Sequence, residues 1–545
     1  MPELQPGRQR RVLIADANHR LPVLGEDAAM RWSHRARRGS AVVLAVGILG
    51  LAWLAPSCAI ESVSTSADGG AMESDAGNDS GANACPAGQS YCDGKCIGTT
   101  EDDKNCGACG NVCSSAKHCA ASTCQASKIE HVVLIVQENH TFDAYFGRYC
   151  QAPSGSNPSC TSGPSCCERA PDVEPGGTSP AVLDDASNFA EDRNHSQACE
   201  LLEINGGKMD GFSDGRGPGR TTCSPACSIR ANWALADRAT VGAYWSYADA
   251  FALADRYFQP IVGGTSSNNM YFAVAHFQFL DNAKVPNAIG APYGCIQGAC
   301  LDGVPVTFQG QRTIADLLIE AHKTFAVYAD GYGDAKAVAP SCESVPSDCP
   351  YSPLTHPIAA QACKYDSSDI PFVYYAPFAD GQNIKEYLDL KKDIDGASLP
   401  NFSYVKAREF HNEHPNVSTI TDGIAFVTQT VQMIESSSYA SNTLILLTWD
   451  EGGGFFDHVA PPPGVDVDDN GKTVPYGTRV PLLALGKFAR KGTVSHVQLE
   501  HSSIVRFLEY NFIGPVGQLG FNDAKVKNLG SLLDANATGV RIPEQ

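Results

Sequence analysis

The stretch IEHVVLIVQENHTFDAYFG, Ile129 to Gly147, decides the fold class. From His131 to Gln137 it carries an unbroken apolar run with no polar alternation. A strand with one wet face alternates, whereas a strand covered on both faces does not, so this one belongs inside a parallel sheet. Two further runs share the pattern: Asn442-TLILLTW-Asp450 and Val480-PLLALG. Phe325-AVYA and Asn401-FSYV are shorter candidates. Between them lie helical periodicities at Thr313-IADLLIEAHK, Asp422-GIAFVTQTVQMIES and Ser502-SIVRFLEYNF. Strands alternating with helices predict an α/β sandwich around a mostly parallel central sheet.

The ends of these strands carry the chemistry. In an open α/β sheet, ligands bind beyond the carboxyl ends of the strands. The first run ends in Gln137-Glu138-Asn139, followed by Thr141-Phe142-Asp143, and the second in Asp450-Glu451-Gly452-Gly453-Gly454, followed by Asp457-His458. Adjacent acids beside a glycine run can wrap a cation, because the carboxylates close in without side-chain obstruction. Such acids also serve as helix N-caps, and each pair alone is a weak signal. Their shared position on strands far apart in sequence favours a metal.

Outward from this core the composition changes twice. The chain has 545 residues, 21 cysteines and a formal charge of −20. Apolar residues make up 43% and charged residues 18%, which excludes a disordered chain. The acidic balance argues against nucleic acid or an anionic membrane surface as partner. So many cysteines predict an oxidising compartment and disulfides. Ala41–Ala55 is an apolar run too short to span a bilayer and suited to a signal-peptide core, with Arg31, Arg35, Arg37 and Arg38 before it. It ends in Leu54-Ala55-Pro56-Ser57-Cys58, which is similar to a bacterial lipobox and predicts export and a lipid anchor at Cys58. The expected organisation is a leader over 1–58, a flexible linker over 59–84, a cysteine-rich module over 85–124 and a catalytic domain over 129–535. Eight cysteines in the module suit four disulfides better than zinc, and twelve more, from Cys150 to Cys363, predict crosslinked insertions.

The 129–147 motif resembles the opening of the bacterial phosphoesterase family that includes phospholipases C and acid phosphatases. Further blocks follow in that family's order. They are Asp192-Arg-Asn-His195, Asn205-GGKMDG-Phe212, Ala250-FALADRY-Phe258 leading to Gly264-Thr-Ser-Ser-Asn268, and Glu413-His-Pro415. Asp450-EGGGFFD-His458, Gly477-TRV-Pro481 and Glu500-HS-Ser503 close the series. The family implies an alkaline-phosphatase-like three-layer sandwich. By resemblance, Glu138, Asn139, Thr265, Asp450 and Glu451 would hold one divalent metal ion, calcium, magnesium, manganese or zinc. Thr265 would be the nucleophile, Asn268 would contact phosphoryl oxygens, and His195, His414 and His458 would act as general acid or phosphate ligands. His140 and Thr141 stand where the family has Arg and Ser, and Asn269 where it has Arg; these changes bear on substrate preference.

The resemblance implies hydrolysis of phosphate esters, with phospholipase C action on glycerophospholipids first and phosphomonoester hydrolysis second. A third reading is a non-catalytic cell-surface binding protein on the same scaffold. Sulfate-ester hydrolysis is disfavoured, because no C/S-x-P-x-R motif lies near Thr265.

Overall fold

The computed structural model describes residues 85–215, 226–289, 303–338, 363 and 365–544. The leader, the anchor cysteine Cys58 and the linker lie outside them, as do Cys223, Cys295, Cys300, Cys342 and Cys349.

An eight-stranded sheet forms the centre. In chain order its strands are β1 (His131–Gln137), β2 (Ala252–Ala254), β3 (Phe325–Ala329), β4 (Ile384–Glu386), β5 (Phe402–Lys406), β6 (Thr443–Trp449), β7 (Leu482–Leu485) and β8 (Thr493–Ser495). Across the sheet they run β4-β3-β5-β1-β6-β7-β2-β8. Val132 to Val136 and Leu444 to Leu447 are fully buried, as an uninterrupted apolar run requires. All pairings from β4 to β6 are parallel. β7 corrects the expectation: it runs antiparallel to both β6 and β2. Burial on two faces dictates its composition whichever way the strand points, so composition cannot report direction.

The helices that matter here are α1 (Phe142–Phe146), α2 (Arg238–Ala250), α3 (Thr265–Val274), α4 (Ile314–Glu320), α5 (Ile420–Glu435) and α6 (His501–Phe512). α3, α4 and α6 pack on one another, and α2 packs with α5. These two groups flank the sheet and complete the three layers. α4 begins with a reciprocal cap between Thr313 and Asp316. α5 is capped by Thr419, whose hydroxyl accepts from the Asp422 amide.

The cysteine-rich module folds as two antiparallel hairpins, Gln89–Cys92 with Lys95–Gly98 and His118–Ala120 with Thr123–Gln125. Its eight cysteines pair as Cys85–Cys96, Cys92–Cys109, Cys106–Cys119 and Cys113–Cys124. The large domain carries Cys150–Cys167, Cys160–Cys166 and Cys199–Cys227. The module is docked on the sheet domain: His118 stacks on the Tyr510 ring at 3.7 Å, and its Nε2 lies 2.9 Å from the Tyr510 carbonyl. Among the described residues, no helix is long and apolar enough to cross a membrane.

Candidate active site

The register of the sheet assembles the site. Gln137 at the end of β1 pairs with Trp449 at the end of β6, so Glu138-Asn139 and Asp450-Glu451 leave the sheet side by side. Lys406 ends β5 one row back, opposite Val136. The Asp450 amide donates to the Gln137 carbonyl, and the Asn139 amide donates to Asp450 Oδ1 at 3.1 Å. Asn139 adopts a left-handed backbone, φ 64°, which asparagine tolerates better than most residues. The glycine run permits this closure: a side chain on Gly453 would collide with the Asn139 carbonyl. Neither acid pair caps a helix. Thr141 is the cap of α1, accepting from the Ala144 amide.

Thr265 is the first residue of α3, after the cap position Gly264, and is almost wholly buried. Its hydroxyl lies 3.4 Å from Asn139 Oδ1 and faces the Asp450 carboxylate closely enough to stabilise its charge. The amides of Ser266 and Ser267 are taken by Asn282 Oδ1 and the Asp281 carbonyl. Asn268 is spent on the same loop: its Nδ2 donates to the Gly263 and Gly264 carbonyls, and its Oδ1 accepts from the Ile261 amide. Asn268 therefore fixes the turn that presents Thr265, where the resemblance had implied contact with phosphoryl oxygens.

The acids are buried and incompletely satisfied. Asp450 Oδ2 and Glu451 Oε1 have no hydrogen-bond partner, although both side chains are fully buried. Burial pushes the Asp450 and Glu451 carboxyls above the usual carboxylate range, and Asp450 raises Glu451 further. The orphaned Asp450 oxygen, against the Thr265 hydroxyl that reaches the Asn139 amide oxygen, fits a ligand position for a divalent cation. Glu138 is occupied differently: it makes an ion pair with the buried Lys406 ammonium, which Asp369 also faces at 3.7 Å. Asp369, Glu138 and Asp450 together hold the Lys406 proton firmly despite burial. Lys406 was missed in the sequence, though it is one more charged residue closing a strand on the same edge.

His195 and His414 stand on the Glu451 side. Their ring centroids are 6.1 Å apart, and His195 Nε2 is 3.8 Å from Glu451 Oε1. Burial opposes a charge on His414, but Asp192, Glu138 and Glu409 outweigh it and raise its pKa to about 9. His458 is placed elsewhere, in an ion-pair lattice. Its Nδ1 meets Asp143, its Nε2 meets Glu168, and Arg479 bridges Asp143 to Asp457. With both ring nitrogens committed to carboxylates it braces the loop after Asp450, where the resemblance had implied a general acid or phosphate ligand.

A second unforeseen residue is Glu413. Its carboxylate accepts from Tyr145 Oη at 2.6 Å, from Trp449 Nε1 at 3.0 Å, from Gln137 Nε2 at 3.3 Å, and from Tyr244 Oη. Gln137 precedes Glu138, Trp449 precedes Asp450, and Glu413 precedes His414, so one carboxylate ties together the three segments bearing the site.

The phosphoesterase family model matches residues 129–513. The chain belongs to the phosphoesterase family. A model of the stigma-specific STIG1-like protein family matches residues 70–127 of this phosphoesterase, which covers its disulfide-bonded module. Among curated relatives, the non-hemolytic phospholipase C of Burkholderia pseudomallei is 26% identical over 419 residues, 70% of this chain and 55% of that protein. Phospholipase C B of Mycobacterium tuberculosis is 26% identical over 445 residues, 74% and 77% of the two chains. The phosphoesterase thus spans about half of the first relative's length and about three quarters of the second's. A solved protein of the alkaline phosphatase superfamily from Vibrio parahaemolyticus aligns with a TM-score of 0.33 and 10% identity over 75% of this chain and 72% of its own, too loosely to bear on the chemistry.

Proposed function

We propose that this chain hydrolyses phosphate esters, with Thr265 as nucleophile and phospholipase C-type cleavage of glycerophospholipids as its reaction. The observation that carries the reading is the Thr265 hydroxyl at the start of α3, within reach of Asn139 and against the partly unsatisfied Asp450 carboxylate. The relatives named phospholipase C support the choice of substrate.

Asp450, Glu451, Asn139 and Thr265 would hold one divalent cation, with Glu138 paired to Lys406 beside them. A cation there supplies positive charge that lowers the hydroxyl pKa and neutralises the phosphoryl oxygens. The chain's own residues do the rest. Thr265 Oγ1 attacks phosphorus, its proton leaves to solvent or a neighbouring carboxylate, and the ester bond to the diacylglycerol oxygen breaks as that oxygen takes a proton. Water then cleaves the phospho-threonine bond, releasing the phosphorylated headgroup and restoring the hydroxyl. Lys406 holds Glu138 in place, Asn268 fixes the Thr265 turn, and His414, whose proton is held by the surrounding acids, presents positive charge. We also propose export and anchoring through Cys58, on the residues of the leader.

The test offers purified protein a choline phospholipid analogue and nitrophenyl phosphate. The reading expects cleavage of the diester, lost by at least about a thousandfold in Thr265→Ala and retained in part in Thr265→Ser. Cleavage of the monoester alone would sink the phospholipase assignment, and full activity in Thr265→Ala would sink the nucleophile.

A further inference from the structure

Glu168 is a buried carboxylate that the proposed reaction does not use, 2% exposed and with both oxygens engaged. Oε1 accepts from the Asn157 amide at 2.8 Å and from Arg256 Nη2 at 3.2 Å. Oε2 accepts from the Gly155 amide at 2.8 Å and meets His458 Nε2 at 3.1 Å. Across the ring, His458 Nδ1 meets Asp143 Oδ2 at 2.8 Å. Carboxylates only accept, so both ring nitrogens carry protons and His458 is a cation held between two anions. Arg479 lies 3.3 Å from the same Nδ1 and is itself paired with Asp143 and Asp457.

The loop before Glu168 has little packing with which to hold that carboxylate. Residues 153–157 and 159–162 are exposed, and apart from two prolines and Cys160 the stretch is polar or glycine. Two disulfides supply the geometry instead. Ser162 pairs with Thr493 of β8, and the Val494 amide donates to the Thr161 carbonyl, so this part of the loop is fastened to the sheet edge. Cys160–Cys166 carries that fixed base to the residues just before Glu168. Cys150, whose amide donates to the Phe146 carbonyl at the end of α1, is bonded to Cys167. Glu168 is thereby triangulated between α1 and β8, with the Gly155 and Asn157 amides folded back onto its carboxylate.

What Glu168 reaches is the far end of the segment that carries Asp450 and Glu451. The near end is fixed by β6 and by the Asp450 amide on the Gln137 carbonyl. Gly452, Gly453 and Gly454 follow, with no side chains to stiffen the path. At the far end the Thr141 hydroxyl holds the Phe456 carbonyl, Arg479 holds Asp457, and Asp143 and Glu168 hold His458. A glycine run fixed at both ends keeps one shape, and released at one end it gains conformations.

We propose that Glu168 is a positioning residue for the Asp450–His458 loop and that Cys150–Cys167 and Cys160–Cys166 lock it in place, so that the site becomes fully active only after both bonds form. Each bond forms by thiol–disulfide exchange: two cysteine thiols become one disulfide, and a small disulfide such as oxidised glutathione takes up their two electrons and two protons as two thiols. In a reducing compartment the same chain has its Thr265 centre unbraced, and ester hydrolysis waits for an oxidising one. The consequence for catalysis rests on the Thr265 reading; the brace itself is read from His458.

The test compares the full chain with Glu168→Gln, with a variant carrying Cys150→Ser, Cys160→Ser, Cys166→Ser and Cys167→Ser together, and with the combination. Ring resonances should place the His458 midpoint at about 9 in the wild type. Both variants should bring it to about 8 or lower, because Asp143 alone then opposes burial and Arg479. Amide exchange from Glu451 to His458 should quicken at least about tenfold. Hydrolysis of a choline phospholipid analogue should fall at least about tenfold in kcat, with the alkaline limb of its pH profile moved to lower pH. The combined variant should be no worse than the cysteine variant, since both remove one brace. An unchanged His458 midpoint and unchanged loop exchange in Glu168→Gln would overturn the brace, and additive losses in the combination would overturn the lock. Where the cysteine variant folds poorly, stepwise reduction of the wild type replaces it, with open thiols mapped by mass spectrometry. Activity must then fall as these two bonds open, and activity that outlasts both overturns the lock. A His458 midpoint and loop exchange that move as expected in a chain that cleaves no phosphate ester would sustain the brace and sink the Thr265 reading.

Discussion

His458 is 7% exposed at its side chain and sits between Asp143 and Glu168. Burial works against its charge, but the two carboxylates prevail and raise its pKa to about 9 from 6.5. A histidine whose folded pKa lies above its unfolded one binds its proton more tightly when folded. Its contribution is complete below pH 6.5 and is lost as pH rises to about 9. We expect the wild type to lose on the order of 3 kcal/mol across that window. Urea titrations at pH 6 and 9.5 should show His458→Gln with a flatter profile; an unchanged slope would remove His458 as its source. At the other end of the site, Asp450→Asn leaves the Asn139 and Glu451 amides an acceptor but removes the charge. It should abolish uptake of the cation at the Thr265 centre while the thermal melt stays within a few degrees, as isothermal titration and calorimetry would read. His501 belongs to this scale too. Its Nε2 is 2.6 Å from the Asp450 carbonyl and its Nδ1 2.7 Å from Tyr257 Oη, so a neutral ring donates to one and accepts from the other. Burial pushes its pKa down to about 3, which keeps that bridge uncharged at neutral pH.

At the scale of elements, Glu413 explains several choices that look odd in isolation. Gly423 sits inside α5, where glycine costs about 1 kcal/mol relative to alanine, yet a side chain there would collide with Glu413 and with Gln137 Nε2. The loop carrying Glu413 is thus clamped between α5 and the ends of β1 and β6. Replacing Glu413 with alanine strands the buried donors of Tyr145, Tyr244 and Trp449, and we expect a loss of roughly 3 kcal/mol or more by chemical denaturation. Glu413→Gln keeps an acceptor and should recover much of that stability. If both variants match the wild type, the carboxylate is not the tie between the segments. The expected parallel β7 fails at this same scale. An apolar run states that both faces are covered, while direction depends on the route the chain takes between β6 and β7, through 450–481 and past Thr265.

At the scale of the molecule, the chain has two sources of stability. The sheet domain has a continuous core from Ile129 to Ile542. The module has little core, and its four disulfides close short loops worth about 3 kcal/mol each. Reductant under native conditions should therefore unfold residues 85–124 while the sheet persists, as hydrogen exchange would show; simultaneous collapse of both would mean that the module nucleates the whole fold. His118 is the buried docking contact, between Asp103, the Tyr510 carbonyl and the Tyr510 ring, beside an Arg541–Glu101 ion pair and a Gln125 hydrogen bond to the Gly539 carbonyl. His118→Ala should speed proteolysis of the module without changing ester hydrolysis.

The sequence by itself determined five of the eight central strands, the α/β class, the even cysteine grouping and the two acid pairs at strand ends. Each of these is written in local composition or in periodicity, which follows from burial alone. The tertiary structure alone decided which side chains meet. It brought Lys406 against Glu138, gave Glu413 to three segments, spent Asn268 on the turn before Thr265, and sent His458 into an ion-pair lattice. It also turned β7 around. Those outcomes depend on strand register and on buried charges finding partners across hundreds of residues, and a pattern read along one dimension carries neither.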